Sequence, residues 1–442
     1  MDTRCAGGRA MRMQGKSRVI ILGAGFGGIH VARELARLLP EPYGAEIVLV
    51  DQKNYFVFTP MLTEVVGGEV VAEHIVSSIR KLSPRVTFMA GRVDGVDVTN
   101  KRVTLSLGDE ASGTPTGTLA LEADHLVFAL GSVTNYHGIA GVEEHSLDIK
   151  SLSDAGAIHN KAIALLERAD NEPDPPARKK LLTIVVAGGG FSGVETMAAL
   201  NSLLRESTKR YQNISEHDIR TVLMHPGEHL LAEIGPSLGD YAQKKLEQQG
   251  VDVRLRTEVA GVGVDYVQIQ GGERIPTSLL VWTAGVMPSP VVGVLDLKRG
   301  QHGGIVVKRT CAVPGHAGVW ALGDCAEVPE PDGQKSYAPT AQNATREGSL
   351  VARNIARVMQ GEQPVPFNYH PIGQLALVGK HAGVAKLFGI RFSGVLAWAM
   401  WRGVYLAKEP RLGKRLRVAL DWTLDFLTGL DIAARPSHRS GG

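Results

Sequence analysis

Short runs of consecutive apolar residues alternate along the chain with segments whose apolar residues recur every three or four positions. The runs at 19–22, 47–50 and 184–187 have the length of strands that are buried on both faces of a parallel sheet. The segments "IHVARELARLL" at 29–39 and "VETMAALNSLL" at 194–204 have the helical period. Strands that alternate with helices in this way predict an α/β fold built on parallel sheets.

The first strand leads directly into a glycine-rich turn. Gly23, Gly25 and Gly28 follow the strand, a helical segment comes next, and the second strand ends in Asp51. This order is typical of a dinucleotide-binding unit: Gly23 allows the tight turn, Gly25 lets backbone N–H groups reach a pyrophosphate, and Gly28 lets helix and strand pack closely. Asp51 is predicted to bind the ribose hydroxyls. A glycine turn alone is weak evidence, but the strand, helix and acid around it favour dinucleotide binding.

A second unit of the same design begins at residue 181. The strand "LLTIVVA" is followed by Gly188, Gly190 and Gly193 and then by a helical segment. Two such units predict two dinucleotides in one chain. We expect one to be a flavin dinucleotide that stays bound and the other a nicotinamide dinucleotide that exchanges, because hydride transfer needs a donor and an acceptor.

Three further apolar strands end in small residues. They are "VFALGS" at 127–132, "VWTAGV" at 281–286 and the strand that leads to Gly323 and Asp324. Such ends allow backbone to approach a cofactor closely, so Gly131, Gly285 and Asp324 are predicted to bind cofactor.

The strand after the second glycine turn ends differently from the first. His225 stands where the ribose-binding acid is expected, and Glu228 follows three residues later as a substitute. An NADP enzyme usually has an arginine at the strand end, whereas Arg220 lies at the strand start. The pattern favours NADH and leaves NADPH open.

Composition and charge exclude several classes of protein. The chain has 442 residues, 44% of them hydrophobic, which suits two or three globular domains, and its net charge of +3 is too small to indicate a nucleic-acid-binding protein. No run of 18 apolar residues predicts a membrane-spanning helix. Residues 1–17 are predicted to be a disordered tail, with Met11 or Met13 as alternative starts.

The cysteines argue against dithiol chemistry. Cys5, Cys311 and Cys325 form no C-x-x-C pair, so neither a zinc site nor a redox pair is predicted, and a reducing compartment is expected. Cys311 and Cys325 are interpreted as small buried residues. No metal site is predicted.

Eight motifs resemble those of the type II NADH:quinone oxidoreductases, the non-pumping alternative NADH dehydrogenases. They are "GAGFGG" (23–28), "NYFVFTPML" (54–62), "HIVSSIRKL" (74–82), "ALGSVTNYHGIAGV" (129–142), "GGGFSGVE" (188–195), "GDCAE" (323–327), "AQNATREG" (341–348) and "GQLALVGKHAGVAKLFGIRFSGVLAWAMWR" (373–402). The resemblance implies two Rossmann-like domains, an FAD-binding domain at 18–147 and 301–385 that is split by an NADH-binding domain at 148–300, followed by a membrane-associating region at 386–442. It also implies hydride transfer from NADH to FAD and electron transfer to a membrane quinone.

The same resemblance assigns roles to individual residues. FAD is expected at Gly23, Gly25, Gly28, Asp51 and Asp324, and Lys380 joins the residues that bind cofactor. Glu195 is expected at the junction of the cofactors, where it positions the nicotinamide or relays protons; alternatively, as an acid placed in the first helical turn, it only complements the helix dipole. Gln342 is expected to line the quinone tunnel, on a helix that Thr340 caps. Arg346 departs from the family pattern, which has a second glutamine there.

The C-terminal segment has the pattern of an amphipathic anchor. Residues 386–418 contain eight basic residues and one acid, Glu409, together with Trp398, Trp401 and Tyr405 at helical spacing. A leucine stripe follows; its members are Leu412, Leu416, Leu420, Leu424 and Leu427. The pattern predicts a peripheral protein on the cytoplasmic face of the membrane, with the aromatic residues at the lipid headgroups. The alternatives are that the stripe packs against the chain's own domain or against a second copy in a homodimer.

Three other functions remain open at this point. A soluble FAD-dependent reductase of a ferredoxin or rubredoxin would share both glycine turns. A sulfide:quinone reductase would need a well-placed cysteine pair. A flavin-bound signalling protein would use charge transfer to control dimerisation rather than turnover.

Overall fold

A computed structural model describes residues 17–39, 45–107, 117–409, 411–429 and 433. Apart from Ser17, the predicted tail at residues 1–17 lies outside the described residues, and so do Cys5 and the alternative starts Met11 and Met13.

The described residues form 24 strands. In chain order they are β1 Arg18–Leu22, β2 Glu46–Asp51, β3 Tyr55–Val57, β4 Val76–Ser78, β5 Val86–Asp97, β6 Arg102–Leu107, β7 Gly117–Glu122, β8 His125–Phe128, β9 Ser132–Thr134, β10 Leu147–Asp148, β11 Thr183–Ala187, β12 Arg220–Met224, β13 Val251–Arg254, β14 Val259–Gly263, β15 Tyr266–Ile269, β16 Arg274–Pro276, β17 Leu279–Trp282, β18 Val286–Pro288, β19 Ile305–Val306, β20 Val319–Ala321, β21 Ala326–Glu327, β22 Gly373–Gly379, β23 Ala382–Leu387 and β24 Ile390–Ser393.

The same residues form 11 α-helices. They are α1 Phe26–Leu38, α2 Leu62–Gly67, α3 Val142–His145, α4 Leu152–Asp170, α5 Pro175–Leu181, α6 Phe191–Thr208, α7 Pro236–Gln248, α8 Pro290–Gly293, α9 Ala341–Met359, α10 Gly394–Lys408 and α11 Leu412–Thr428.

The described residues divide into two compact units. The first comprises those within Met1–Phe56, Ser77–Val133 and Val286–Pro371, and the second those within Val57–Val76, Thr134–Gly285 and Ile372–Gly442. Residues 57–76, 134–147 and 372–385, which were predicted to belong to the FAD-binding domain, lie in the second unit, and residues 286–300, predicted to belong to the NADH-binding domain, lie in the first. The boundaries drawn there by function stay a prediction.

The first unit is built on a seven-stranded sheet in the order β20-β8-β1-β2-β5-β6-β7. Strands β20, β8, β1, β2 and β5 run parallel, and β6 and β7 are added antiparallel. Strand β1 is buried along its whole length, which explains its uninterrupted apolar sequence. Helix α1 packs against α9.

The second unit contains a parallel five-stranded sheet in the order β10-β17-β11-β12-β13. Its series β17-β11-β12-β13 repeats the series β8-β1-β2-β5 of the first unit, so each glycine turn follows a central strand. The carboxyl ends of central parallel strands are where such folds bind ligands. The α/β fold with two Rossmann-like domains is therefore confirmed.

Helix α11 packs against its unit through Val418 and Trp422 and leaves its leucine stripe exposed. The stripe leucines Leu412, Leu416, Leu420, Leu424 and Leu427 are 70%, 65%, 56%, 48% and 70% exposed. Val418 and Trp422 are buried instead, and Asp421 accepts a hydrogen bond from His74 Nδ1 at 2.6 Å. The stripe is therefore not part of the core of its own unit. Within the described ranges, no helix is both long and apolar enough to cross a membrane.

Two side chains of α10 correct the sequence prediction. Trp401, which was expected at the lipid headgroups, is 0% exposed, and the basic residue Arg402 turns inward to pair with Glu69 Oε2 at 2.7 Å. The prediction of a headgroup contact for Trp401 is wrong, because its ring packs inside the unit. Val395 and Leu396 are the exposed apolar residues at the start of this helix.

Candidate functional site

Two glycines of the first turn are required by the protein's own backbone. Gly23 has φ of +100°, and a Cβ atom there would lie 2.2 Å from the carbonyl oxygen of Ala129. A Cβ atom on Gly28 would lie 1.9 Å from the carbonyl oxygen of Gly23. A side chain at either position would therefore disrupt the fold of the turn itself.

Gly25 differs from its neighbours in the turn. Its backbone is extended (φ −75°, ψ −165°) and precedes α1, and no atom lies within 4 Å of the position that a Cβ atom would take. Nothing in the protein itself requires glycine here. The open space lies at the end of α1 where the N–H groups lack helical partners, and it fits the pyrophosphate of a dinucleotide.

Asp51, the last residue of β2, holds this turn in place. Its Oδ2 accepts a hydrogen bond from the N–H of Ala24 at 2.7 Å and its Oδ1 accepts one from Lys53 at 2.9 Å. Burial raises the pKa of Asp51, while the two backbone hydrogen bonds act in the opposite direction. A carboxylate has about four acceptor sites, so Asp51 can bind ribose hydroxyls as well.

Two further segments meet the first turn. A Cβ atom on Gly27 would lie 2.3 Å from Leu322, in the segment that leads to Asp324, and one on Gly348 of α9 would lie 2.5 Å from the Gly27 carbonyl oxygen. Asp324 Oδ2 accepts a hydrogen bond from Ser132 Oγ at 2.7 Å. Gly131 has φ of +65° and open space at its Cβ position.

Glu347 of α9 is a residue that the sequence analysis did not single out. It is buried, and its Oε2 accepts a hydrogen bond from the N–H of Gly323 at 2.7 Å. Burial raises the pKa of Glu347 to about 7. The sequence signal that could have identified Glu347 is an acidic residue at one of the buried positions of an amphipathic helix. Glu347 fixes the turn that carries Asp324.

Gln342 lies in the first turn of α9, in the first unit. The Thr340 hydroxyl accepts a hydrogen bond from the N–H of Asn343 at 3.2 Å, so the predicted cap is confirmed. The Gln342 amide donates to the hydroxyl of Tyr369, and the Arg346 guanidinium lies 4.9 Å from the centre of the Tyr369 ring. Arg346, which stands where a second glutamine was expected, and Gln342 therefore both contact Tyr369.

The second glycine turn repeats the geometry of the first. Gly188 has φ of +122°, and a Cβ atom there would lie 2.4 Å from Thr283 Oγ1. A Cβ atom on Gly193 would lie 1.8 Å from the Gly188 carbonyl oxygen. Gly190 has open space at its Cβ position and precedes α6 (φ −76°), as Gly25 precedes α1. This turn fits a second dinucleotide.

His225 occupies the position of Asp51 in the second unit. The N–H of Gly189 donates to its Nδ1 at 3.1 Å, as the N–H of Ala24 donates to Asp51. Burial lowers the pKa of His225, which keeps the ring neutral and Nδ1 able to accept. Glu228 pairs with Arg256 at 2.9 Å. Arg220 pairs with Asp252.

Gly285 and Lys380 also lie in the second unit. Gly285 has φ of +143° and accepts a hydrogen bond from the N–H of Asn135 at 3.1 Å. Lys380 Nζ lies 3.1 Å from Glu206 Oε2. The structure thus places Gly188, Gly190, Gly193, Glu195, Gly285 and Lys380 in the second unit, and Gly23, Gly25, Gly28, Asp51, Gly131, Asp324 and Gln342 in the first.

Glu195 is held by residues far away in sequence rather than by the start of its helix. Helix α6 begins at Phe191 and has no acid in its first turn, so the expectation that Glu195 lies there is wrong: Glu195 is the fifth residue of the helix. Its Oε1 accepts hydrogen bonds from the N–H of Leu377 and from Trp401 Nε1, both at 3.0 Å. Burial raises the pKa of Glu195 to about 8, against the effect of both hydrogen bonds. The helix dipole does not explain this placement.

A cavity of about 30 Å³ adjoins Glu195. Three further carboxylates, none of which was predicted as a site residue, line it: Glu64, Glu69 and Asp425. Trp422 Nε1 donates to Glu64 Oε2 at 3.0 Å, and burial raises the pKa of Glu64 well above its usual range. Arg402 lines the cavity as well, with its guanidinium 4.4 Å from the Trp398 ring and 4.7 Å from the Trp422 ring. A space of this size holds about one or two water molecules.

The two inner cysteines are free and buried, as predicted. Burial raises the pKa of both Cys311 and Cys325, so neither is a reactive thiolate. Among the described residues, no group of three or more histidine, cysteine, aspartate and glutamate side chains is placed to hold a metal ion.

Comparison with known proteins supports this geometry. Residues 17–348 match the family model "Pyridine nucleotide-disulphide oxidoreductase", and residues 372–431 match "NDH2 C-terminal domain". Demethylphylloquinone reductase NdbB of Synechocystis is 32% identical over 92% of this chain and 96% of its own length. Type II NADH:quinone oxidoreductase Ndh of Mycobacterium tuberculosis is 28% identical over 93% of this chain and 89% of its own length.

A solved structure shows the same fold. The NDH2 of Plasmodium falciparum in complex with NADH superposes with a TM-score of 0.86 at 20% identity, covering 95% of this chain and all of that one. The chain belongs to the pyridine nucleotide-disulphide oxidoreductase family and, within it, to the type II NADH:quinone oxidoreductases.

Proposed function

We propose that this chain binds FAD at the first glycine turn and NADH at the second, and that it passes electrons from NADH to a membrane quinone. The observation that carries the proposal is the open space at Gly25 and Gly190. At neither position would a Cβ atom clash with another part of the protein, so the protein's own packing does not explain why glycine is present. When bound, FAD takes up a hydride from NADH and gives up two electrons to the quinone, without proton pumping.

The chain's own residues bind and orient the reactants. Asp51 and Glu347 hold the two segments that surround the first turn, and His225 holds the second turn. Glu195 carries a proton at neutral pH, because its pKa is about 8. Since Oε1 already accepts two hydrogen bonds, the proton resides on Oε2. We assign Glu195 to proton supply, since quinone reduction consumes protons.

The purified flavoprotein tests this function directly. NADH should bleach the flavin absorbance, and a quinone should restore it, whereas ferredoxin, rubredoxin and sulfide should not take part in turnover. Flavin that is reoxidised by a ferredoxin-type carrier but not by any quinone would contradict the proposal.

Gln342 is proposed to contact the quinone. Gln342→Ala should raise the KM for quinone about tenfold, because a positioned amide donor is lost and Tyr369 loses its partner. Stopped-flow reduction by NADH should keep its rate. Gln334→Ala, which changes an exposed glutamine of a loop in the same unit, is the matched control. An unchanged KM for quinone would remove Gln342 from the quinone site.

We further propose that α11 attaches the chain to the cytoplasmic face of the membrane. The support is the way this helix packs: Asp421 and Trp422 face the chain's own unit, while the leucine stripe faces outward. The stripe leucines are 48–70% exposed, so burying the exposed part of each in lipid contributes about 1–2 kcal/mol. Basic residues nearby add attraction to anionic lipid. The same stripe would serve a homodimer.

The change of Leu416, Leu420 and Leu424 to serine should abolish flotation with anionic liposomes. Turnover with a long-chain quinone should fall with it, whereas a short-chain quinone should still be reduced. Val264→Ser, which alters an exposed apolar residue elsewhere in the second unit, should leave flotation unchanged. Normal flotation together with a loss of dimers in sedimentation would assign the stripe to a second copy of the chain.

A further inference from the structure

The second nucleotide site lacks the acid that distinguishes NADH from NADPH. In the usual arrangement, a carboxylate at the end of the second strand binds the 2′-hydroxyl of the adenosine ribose and repels a 2′-phosphate. Here that position is His225 at the end of β12. The ring keeps the structural part of the acid's role, since Nδ1 accepts the N–H of Gly189 at 3.1 Å, but it carries no negative charge.

A cation lies beside this position. The segment after β13 is hydrogen bonded to the loop after β12. The N–H of Arg256 donates to the carbonyl oxygen of Gly227 at 3.1 Å, and the N–H of Thr257 donates to the carbonyl oxygen of His225 at 3.0 Å. Arg256 therefore emerges next to the loop that follows His225. Arginine is the side chain that usually accommodates a 2′-phosphate.

Arg256 is available to an anion. Its Nη2 pairs with Glu228 Oε1 at 2.9 Å, but the two side chains are 73% and 69% exposed. An exposed pair of this kind contributes little, whereas a phosphate offers a doubly charged, bidentate partner. Arg254, by contrast, is engaged by both Asp252 and Glu273.

From this geometry we propose that the enzyme oxidises NADPH as well as NADH, with Arg256 binding the 2′-phosphate beside the uncharged ring of His225, which does not repel it. The proposal rests on the assignment of the nicotinamide dinucleotide to the second glycine turn. Glu228 and Glu233 are the acids that act in the opposite direction, since Glu228 competes for Arg256 and Glu233 lies near the ring of His225. Both are exposed, so solvent screens their effect on a bound phosphate.

The test compares kcat/KM for NADPH and NADH in the FAD-loaded enzyme. We expect the two values to lie within about tenfold of each other in the wild type, because no buried acid repels the phosphate. His225→Asp should lower the NADPH/NADH ratio about 100-fold, and Arg256→Ala about tenfold. Asp51 shows that an aspartate at this position can hold the same turn, so His225→Asp should fold. His225→Asn, which keeps an uncharged acceptor at this position, should keep the wild-type ratio.

A binding measurement makes the outcome independent of turnover. Adenosine 2′,5′-bisphosphate should raise the melting temperature of the wild type more than adenosine 5′-monophosphate does, and the difference should vanish in His225→Asp and Arg256→Ala. Arg274→Ala, which removes an exposed arginine stacked on Tyr266, is the control for loss of positive charge. A wild-type preference for NADH above about 1000-fold, or an unchanged ratio in His225→Asp, would overturn the proposal. Failure of both nucleotides to reduce the flavin would instead refute the proposed function.

Discussion

Gly25→Val is expected to give a folded, colourless protein that does not oxidise NADH. Apart from its neighbours in the chain, no atom lies within 4 Å of the position that a Cβ atom would take at residue 25, so we expect the apoprotein to fold. The same space is where a pyrophosphate must approach the N-terminus of α1. Flavin absorbance per protein should fall by about two orders of magnitude or more, while far-ultraviolet circular dichroism stays that of the wild type.

Other glycines of the chain provide controls for this result. Gly28→Ala should lose soluble protein altogether, since its Cβ atom would lie 1.9 Å from the Gly23 carbonyl oxygen. Gly156→Ala, an unhindered glycine within α4, should keep its flavin and gain up to about 1 kcal/mol of stability. Gly190→Val should stay yellow but no longer be reduced by NADH. A Gly25→Val protein that retained full flavin content would refute the assignment of the first turn.

The parts of the fold that local sequence determines could be predicted. Strands β1 and β11 are buried on both faces and therefore appear as uninterrupted apolar runs. The glycine turns follow from steric limits that act between residues close in sequence, such as Gly23 and Gly28. The equivalence of His225 and Asp51 was visible too. Asp51 ends the strand that comes after the first glycine turn, and His225 immediately follows the strand that comes after the second.

The surroundings of Glu195 could not be predicted in the same way. Trp401 donates to Glu195 across 206 positions of sequence, and Trp422 donates to Glu64 across 358. Trp401 and its neighbours have the composition of a lipid-facing segment, and no local pattern distinguishes a tryptophan that meets lipid from one that binds a buried carboxylate. The exposure of the leucine stripe of α11 was hidden for the same reason, since periodicity defines the faces of a helix but not which of them is buried.

The buried carboxyl group of Glu195 should make turnover depend on pH. Below pH about 8 it holds a proton, so the step that uses this proton should slow as the pH rises through that value. Glu195→Gln should lower quinone turnover at pH 7 by about 10²-fold or more and abolish that limb of the pH profile, while flavin content stays unchanged. Glu247→Gln, which alters an exposed acid of α7, should behave as the wild type.

The free energy of unfolding gives a second measurement on the Glu195→Gln variant. Its difference from the wild type should change with pH in a direction that the loss of a merely structural residue would not produce. The pKa of Glu195 is raised from 4.5 to about 8, so between these values the folded state keeps a proton that the unfolded state releases. Unfolding therefore releases a proton, and the free energy of unfolding falls with rising pH by at most about 1.4 kcal/mol per unit on account of this group. Glutamine cannot titrate, so Glu195→Gln should become steadily more stable relative to the wild type from pH 5 to pH 8. Glu64 and Glu347 titrate in both proteins, so the difference between the two curves isolates Glu195 apart from its coupling to Glu64. Parallel curves, together with wild-type rates in both half-reactions, would show that Glu195 neither holds nor supplies the proton.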